Sequence, residues 1–197
     1  MKFLLGVDEA GRGPLAGPVS IGVVSVPEGF DVAIEFPGVA DSKALSEKKR
    51  EALFAVLEER ARRGDVRFAV ELPSAEDIDR EGIAVVIRKA VSRAVNQLAP
   101  DAAQVRVLLD GSLKAPMEYA QKTIIGGDAT EPIISLASIA AKVTRDRLMI
   151  GLGNTYPGYG FEKHKGYGTK AHYEALKELG LSSVHRKTFI HIDKNRN

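Results

Sequence analysis

Short apolar stretches alternate with longer amphipathic ones along the chain, and this alternation predicts an α/β fold. The short stretches are rich in β-branched residues or apolar on both faces, as in strands buried inside a sheet. They predict strands over residues 3–7, 19–26, 66–72, 105–109 and 119–125. The longer stretches carry apolar residues at helical spacing between capping residues, and they predict helices over 46–64, 132–152 and 169–179, and one that begins with an N-cap at Ser74 and continues over 83–98.

Two of the helical segments carry patterns that predict which side chains face inward. In the first helix, Leu53, Val56 and Leu57 form an apolar stripe. Pro132 fits the first turn of the long helix, where its missing N–H is not needed. That helix has an apolar side with Ile139, Val143 and Ile150, and we expect a polar, solvated side with Ser135, Ser138, Lys142 and Arg145.

Composition and charge narrow the classes of protein that fit. At 197 residues and 21.2 kDa the chain fits one domain over 1–197, with enough residues to bury a large core. It has no cysteine, which excludes thiol catalysis, thiolate metal sites and disulfides. A formal net charge of +2 says little about partners, so the arrangement of charges matters more. Without a signal-peptide pattern or a membrane-length apolar run, we expect a cytoplasmic protein with no membrane contact. A monomer is expected as well.

Carboxylates follow three of the predicted strands, each close to a glycine. Asp8 and Glu9 end the first strand, Asp110 ends the fourth, and Asp128 follows two glycines after the fifth. Each acid alone is explained as a polar turn residue. The carboxyl ends of parallel strands meet at one edge of a sheet, however, so we expect the acids to converge there. Oxygen ligands without cysteine or a nearby histidine pair suit Mg²⁺ or Mn²⁺ rather than zinc.

Two further stretches carry groups that suit nucleic acid. The backbone N–H groups and the guanidinium of Gly11–Gly13 suit a phosphate or a ribose hydroxyl, although a polar Gly/Pro turn also explains this stretch. Residues 156–170 interleave aromatic, glycine and basic residues, as in a surface that contacts phosphates and stacks on sugars or bases. A packed Ω-loop without a partner is the alternative for this segment. His185 and His191 are not expected to be metal ligands.

Six ordered segments carry a family resemblance. They are Gly-Val-Asp-Glu-Ala-Gly-Arg-Gly-Pro at 6–14, Asp-Ser-Lys at 41–43, Leu-Asp-Gly at 109–111, Gly-Asp at 127–128, Ala-Ser-Ile-Ala-Ala-Lys-Val-Thr-Arg-Asp at 137–146 and His-Lys-Gly-Tyr-Gly-Thr at 164–169. In order and spacing they resemble the type 2 ribonucleases H, the ribonuclease HII family of bacteria, over nearly the whole chain. The resemblance implies a ribonuclease H-like fold, with a mixed five-stranded sheet flanked by helices. It also implies a helical C-terminal part, about 153–197, that closes over the substrate.

The resemblance implies roles for particular residues as well. The acids Asp8, Glu9, Asp110 and Asp128 correspond to residues that hold two divalent metal ions, Mg²⁺ or Mn²⁺. The backbone of Gly11, Arg12 and Gly13 corresponds to the part that reads the ribose 2′-hydroxyl, and Tyr167 to a residue that stacks on the deoxyribose at an RNA-to-DNA junction. Phosphate contacts are expected from Lys43, Ser138 and Lys142.

The activity implied is endonucleolytic hydrolysis of the RNA strand of RNA/DNA hybrids, with cutting 5′ to single ribonucleotides in duplex DNA. The products would carry 5′-phosphate and 3′-hydroxyl ends. A junction-resolving or transposase-like nuclease of the wider superfamily is a second hypothesis, and a nucleic-acid binding module that uses residues 156–170, with structural acids, is a third. Two positions depart from the family pattern, namely Gly126, which is usually basic, and Leu136, which is usually alanine.

Overall fold

The sheet is mixed and five-stranded, and it lies between two layers of helices in a computed structural model that describes residues 2–39 and 45–190. Its strands are β1 (Phe3–Ala10), β2 (Ser20–Pro27), β3 (Arg67–Glu71), β4 (Val105–Asp110) and β5 (Ala120–Ile124). The order across the sheet is β3-β2-β1-β4-β5. β2 is antiparallel to both β1 and β3, whereas β1, β4 and β5 are parallel. The predicted strands are therefore confirmed, and the ends of β1, β4 and β5 meet at one edge.

β1 continues three residues beyond the predicted strand end at Val7. Asp8, Glu9 and Ala10 stay in register with Gly22, Ile21 and Ser20 of β2. The two acids therefore belong to the strand itself and not to a turn after it. Because neighbouring residues of a strand point to opposite faces, Asp8 and Glu9 leave the sheet on different sides.

The helices occur where the sequence predicts them, with three additional short ones. They are α1 (Val32–Glu35), α2 (Glu47–Arg63), α3 (Ala75–Glu81), α4 (Ile83–Leu98), α5 (Gly127–Thr130), α6 (Pro132–Thr155), α7 (Phe161–His164) and α8 (Lys170–Leu179). The short helices α1, α5 and α7 were not predicted, since a single turn leaves too few residues to show a helical period. None of the helices in the described ranges is both long and apolar enough to cross a membrane.

Two apolar cores separate the helices into layers. α4 packs its buried Val86, Ala90 and Ala94 on one face of the sheet. α2 and α6 cover the other face, where Phe54, Leu57 and Leu136 are buried. Leu136, at a position that is usually alanine in the resembling family, is fully buried there and acts as a packing residue.

Three predictions about helix faces are wrong. Val56 is 41% exposed, and Phe54 takes its place in the core of α2. Ile150 is 40% exposed, because the end of α6 extends beyond the sheet. The predicted polar side of α6 is not solvated as a whole, since Ser135 is fully buried and Arg145 is 1% exposed. Both of these polar side chains bind backbone oxygens inside the protein.

α6 approaches β1 and β2 closely because two glycines leave room for its backbone. A Cβ on Gly22 would stand 2.2 Å from the carbonyl oxygen of Ala137 and 2.9 Å from the nitrogen of Ala141. A Cβ on Gly6 would stand 2.3 Å from the carbonyl oxygen of Ile133. These contacts involve backbone atoms, which cannot rotate away, so the distance between helix and sheet depends on glycine at both positions.

We expect Gly22→Ala to lower the free energy of unfolding by at least about 2 kcal/mol, because the methyl group forces α6 away from the sheet. Gly151→Ala in the same helix is the matched control. Gly151 is exposed and has no neighbouring atom within 4 Å of its Cβ position, so alanine there should add about 0.5–1 kcal/mol. Urea unfolding of both variants measures the two effects, and equal values for the two would contradict the close approach.

Candidate active site

The acids predicted from the strand ends lie along one edge of the sheet. Asp8 and Glu9 occupy β1, Asp110 is the last residue of β4, and Asp128 lies in the first turn of α5. The N–H of Asp128 donates to the Asp110 carboxylate over 3.3 Å. The N–H of Glu9 donates to the Asp8 carboxylate over 2.8 Å, and the Ser138 hydroxyl also binds Asp8. Asp8 and Asp128 are buried, whereas Asp110 is half-buried.

Burial and the charges of neighbouring carboxylates raise the pKa values of two of these acids. Burial raises the pKa of Asp8 to about 7, and the charges of Asp110 and Glu9 add to the rise against the hydrogen bonds from Ser138 and the Glu9 N–H. Burial also raises the pKa of Glu9, against the opposing charge of Arg12 and with a further contribution from Asp110. Negative charges that lie close together and away from water are stabilised either by protonation or by a bound cation.

The donor set suits a hard divalent cation, although the side chains do not form a closed cage. In the part of the chain that the structure describes, no group of three or more His, Cys, Asp or Glu side chains is arranged so that it could hold a metal ion. The structure couples Asp8, Glu9 and Asp110 through their charges and joins Asp128 to Asp110 through a backbone N–H. Four carboxylates with no sulfur ligand match the oxygen preference of Mg²⁺ and Mn²⁺.

The segment that follows these acids, residues 11–18, is held by a buried arginine from the C-terminal end of the chain. Arg186 is fully buried, and its guanidinium donates to the carbonyl oxygens of Gly11 over 2.7 Å, Arg12 over 3.0 Å and Gly17 over 2.9 Å. Burial, together with the charge of Arg145, lowers the pKa of Arg186 to about 9, so it remains charged at neutral pH. Three fixed acceptors therefore surround one buried cation.

Arg145 of α6 holds the same segment from another direction. Its guanidinium donates to the carbonyl oxygens of Pro18 over 2.8 Å and Ala16 over 3.1 Å. Gly11 has a φ of +78°, and a Cβ on it would stand 2.0 Å from the Nε of Arg145, so only glycine fits against this side chain. Among the residues described, neither Arg145 nor Arg186 forms a salt bridge, and backbone carbonyls accept the hydrogen bonds of both guanidiniums.

The C-terminal part of the chain is paired with the same segment through its backbone. The N–H of Leu15 donates to Gly166 and the N–H of Gly17 donates to Val184, each over 2.8 Å. The N–H of Arg186 donates to the carbonyl oxygen of Leu15 over 2.8 Å. Residues 15–17 are therefore hydrogen-bonded to two separate C-terminal stretches, one at Gly166 and one at residues 184–186.

Three histidines form a buried group beneath the loop that carries Tyr167. The backbone N–H of Ser182 donates to Nδ1 of His185, so Nε2 of His185 carries the proton. That proton is donated over 3.1 Å to Nε2 of His172, whose Nδ1 then donates over 3.0 Å to the carbonyl oxygen of Tyr167. One fixed donor and one fixed acceptor thus determine both tautomers. His164 stacks on His172 with ring centroids 4.5 Å apart.

Residues 156–170 combine buried and exposed side chains, and residues 161–164 within them form α7. Tyr159 and Phe161 are buried and stacked on each other, so neither ring is available to nucleic acid. Tyr167 differs from them, because its ring is 44% exposed and lies with its centroid 5.9 Å from the guanidinium carbon of Arg145. Its backbone carbonyl accepts hydrogen bonds from both His172 and the N–H of Thr169.

The remaining predicted residues lie in different environments. Arg12 has a half-exposed side chain and donates to Glu9 over 3.3 Å, and Gly13 is exposed. Lys142 forms a salt bridge with Asp146 over 2.8 Å. Lys43 lies outside the described residues, as does His191. Gly126 precedes α5, and no atom stands within 4 Å of its Cβ position.

Sequence reasoning missed Arg186 and the histidine group as parts of this region. Arg186 stands in a basic C-terminal stretch that looks solvated, and nothing local to it shows that residues 11–18 will fold over it. His185 is 1% exposed, and both of its ring nitrogens form hydrogen bonds inside the protein. Arg145 stands beside Lys142, Asp146 and Arg147, so the local sequence does not distinguish it from a solvated side chain.

Comparison with known proteins shows the family to which the chain belongs. A sequence model named Ribonuclease HII matches residues 5–192. Ribonuclease HII of Endomicrobium trichonymphae is 50% identical over 187 residues, covering 93% of this chain and 83% of that protein. The chain belongs to the ribonuclease HII family. It is therefore an endonuclease of the ribonuclease H type, and the family cleaves the RNA strand of RNA/DNA hybrids.

Solved structures agree with the ribonuclease H-like fold of this family. Ribonuclease H2 from Pyrococcus horikoshii OT3 superimposes with a TM-score of 0.76 at 29% identity, covering 94% of this chain and 93% of that one. Ribonuclease HII from Archaeoglobus fulgidus, solved in a complex with PCNA, gives a TM-score of 0.77 at 24% identity, covering 98% and 97%. At that lower identity the likeness concerns the fold alone.

We expect Arg186→Met to lower the free energy of unfolding by about 2–4 kcal/mol, because the carbonyls of Gly11, Arg12 and Gly17 lose their donors inside the protein. Arg62→Met is the matched control, since the Arg62 side chain is 72% exposed and should cost less than about 1 kcal/mol. Urea unfolding near neutral pH measures both variants. A loss for Arg186→Met no larger than that for the control would show that the buried guanidinium contributes little.

The buried histidines predict a loss of stability in acid. Burial lowers the pKa of His172, and burial with the charge of His172 lowers that of His185 to about 4. As pH falls below the unfolded pKa near 6.5, the unfolded chain binds more protons than the folded chain, so the free energy of unfolding falls with pH. We expect His185→Asn to remove about 3 kcal/mol of the decline between pH 7 and pH 4. Parallel stability profiles for both proteins would contradict this assignment.

Proposed function

We propose that this family member cuts 5′ to single ribonucleotides in duplex DNA as well as within longer hybrids, leaving 5′-phosphate and 3′-hydroxyl ends. The observation that carries the proposal is the position of the Gly11–Gly13 backbone directly after the acids of β1. A segment able to read a sugar hydroxyl therefore lies beside the groups that act on the neighbouring phosphodiester. The exposed ring of Tyr167 borders the same segment.

The four acids supply the ligands for catalysis. We assign Asp8, Glu9, Asp110 and Asp128 as holders of two divalent ions, Mg²⁺ or Mn²⁺, because repulsion among Asp8, Glu9 and Asp110 favours bound cations, and Asp128 is hydrogen-bonded to Asp110 through its N–H. Such ions, when bound, supply positive charge that stabilises an in-line displacement at phosphorus and lowers the pKa of the attacking water. Ser138 positions Asp8 through its hydrogen bond, and the N–H of Asp128 fixes the direction of the Asp110 carboxylate.

The orientation of the Gly11–Gly13 peptides supports recognition of the 2′-hydroxyl. In a trans peptide the C=O of one residue and the N–H of the next point in opposite directions. The carbonyls of Gly11 and Arg12 point at the buried Arg186, and the described chain has no cis peptide. The N–H groups of Arg12 and Gly13 therefore point away from the interior, at two residues that are exposed. Two outward donors at one place can bind a ribose hydroxyl without reading the base.

Tyr167 and the C-terminal part complete the proposed substrate site. The histidine group fixes the carbonyl of Tyr167 while its ring stays accessible, which suits stacking on a deoxyribose next to the ribonucleotide. We propose that residues from about 153 onward form the part that closes over the substrate, within a single domain, and that the protein acts as a monomer. The backbone pairing of Leu15 with Gly166 links this part to residues 11–18, which we call the ribose-reading segment.

Cleavage of a panel of end-labelled duplexes tests the proposed function. The panel contains one ribonucleotide in DNA, a full RNA/DNA hybrid, DNA alone and a four-way DNA junction, each with Mg²⁺, Mn²⁺ or EDTA. We expect a cut 5′ to the single ribonucleotide and cuts in the hybrid, with no cut in either all-DNA substrate and none in EDTA. Phosphatase and ligase treatment of the products identifies the 5′-phosphate and 3′-hydroxyl ends.

Other results would favour other functions. Preferential cutting of the junction would support a junction-resolving nuclease. Binding of every duplex without any metal-dependent cut would support a nucleic-acid binding module. Cutting of the hybrid with an intact single-ribonucleotide duplex would confine the activity to longer RNA stretches and contradict the proposed reading of one 2′-hydroxyl.

A further inference from the structure

A cleft beside the ribose-reading segment is lined by basic side chains. It has a volume of about 180 Å³ and lies between α4 and the segment that follows β4. Its lining consists of Arg12, Ala84, Ile87, Arg88, Val91, Ser112, Leu113 and Lys114. Three of these described residues are cationic and none is acidic, so the cleft attracts anions.

One face of α4 forms the first wall. Ile87 and Arg88 each lie three or four residues from both Ala84 and Val91, so the four share that face. Ile87 and Val91 are buried and form an apolar floor, whereas Arg88 is exposed at the rim. The guanidinium is therefore available to a ligand in the cleft.

The segment after β4 forms the second wall and fixes the backbone around Lys114. Its neighbours Leu113 and Ala115 are buried, at 4% and 7% exposure. The N–H of Leu113 donates to the carbonyl of Asp110 over 3.1 Å, and the N–H of Ala115 donates to the side chain of Gln121 over 2.9 Å. Lys114, between two anchored residues, is exposed and lines the cleft.

The cleft is continuous with the acidic edge of the sheet. Arg12 lines the cleft and also donates to Glu9 over 3.3 Å, and Ser112 stands two residues after Asp110. Within residues 2–39 and 45–190, neither Arg88 nor Lys114 forms a salt bridge, so no carboxylate there neutralises them. Cations left unneutralised beside a site for nucleic acid are suited to phosphate groups.

We propose that this basic cleft is a phosphate subsite, in which Arg88, Ser112 and Lys114 bind backbone phosphates of the duplex beside the reacting ribonucleotide. The inference rests on the proposed function, because it requires the bound duplex to extend from the ribose-reading segment past Arg12 to the cleft. Such contacts fix the register of the duplex on the enzyme and carry no information about base or sugar. Arg88 and Lys114 are therefore affinity residues, separate from the ribose-reading segment and from the acids.

Binding without metal tests the subsite. Fluorescence anisotropy in EDTA, from about 0.05 to 0.3 M KCl, compares the wild type with Arg88→Ala, Lys114→Ala and Lys89→Ala. Lys89 is the matched control, since it neighbours Arg88 on α4 but pairs with Glu81. We expect each cleft variant to weaken binding about threefold to fivefold near 0.1 M salt and to reduce the salt slope by about 1. Lys89→Ala should change neither quantity, and Arg88→Lys should keep the wild-type slope.

The comparison of two duplexes separates this proposal from the proposed catalysis. Phosphate contacts do not read the 2′-hydroxyl, so the cleft variants should weaken binding of an all-DNA duplex and of a single-ribonucleotide duplex by the same factor. Wild-type affinity and slope in both alanine variants would overturn the proposal. Weakening confined to the ribonucleotide duplex would also overturn it, because the residues would then act on ribose reading. The binding measurements do not depend on cleavage, so a failure of cleavage alone would contradict the proposed function and not the phosphate subsite.

Discussion

Two buried guanidiniums, those of Arg145 and Arg186, hold five backbone carbonyls between Gly11 and Pro18. Burying a charge without a counter-ion is costly unless its hydrogen bonds are satisfied, and carbonyl oxygens supply that satisfaction here. The segment cannot shift without leaving a charge unpaired in the interior. Its outward N–H groups are therefore fixed, as the proposed recognition of one hydroxyl group requires.

One helix connects this constraint to the acids. α6 lies against β1 and β2 at a distance set by Gly6 and Gly22, and it carries both Ser138, which binds Asp8, and Arg145, which binds the segment. A small shift of α6 would therefore alter the acidic edge and the segment at residues 11–18 together. The C-terminal part adds Arg186 from the other end of the chain, so the site is complete only when distant parts of the sequence have folded together.

The sequence was sufficient for the sheet, the long helices and the acids at the strand ends, because apolar periodicity and strand-end carboxylates are local signals. It placed Arg145 on a solvated side and passed over Arg186, since the acceptors of both lie about 130 to 170 residues away. The same limit applies to residues 156–170, where aromatic and basic composition suggested an open nucleic-acid surface. Tyr159 and Phe161 are instead core residues that pack against the three histidines.

Single-turnover cleavage by Asp110→Asn tests the central claim most directly. The substrate is a duplex with one ribonucleotide, and the matched control is Asp65→Asn, an exposed carboxylate in the cleft next to Phe3, where β1 begins. The account predicts a rate loss of about a hundredfold or more for Asp110→Asn and wild-type rates for Asp65→Asn, with substrate affinity retained in both. A wild-type rate for Asp110→Asn would contradict it, because the carboxylate edge would then not carry the chemistry.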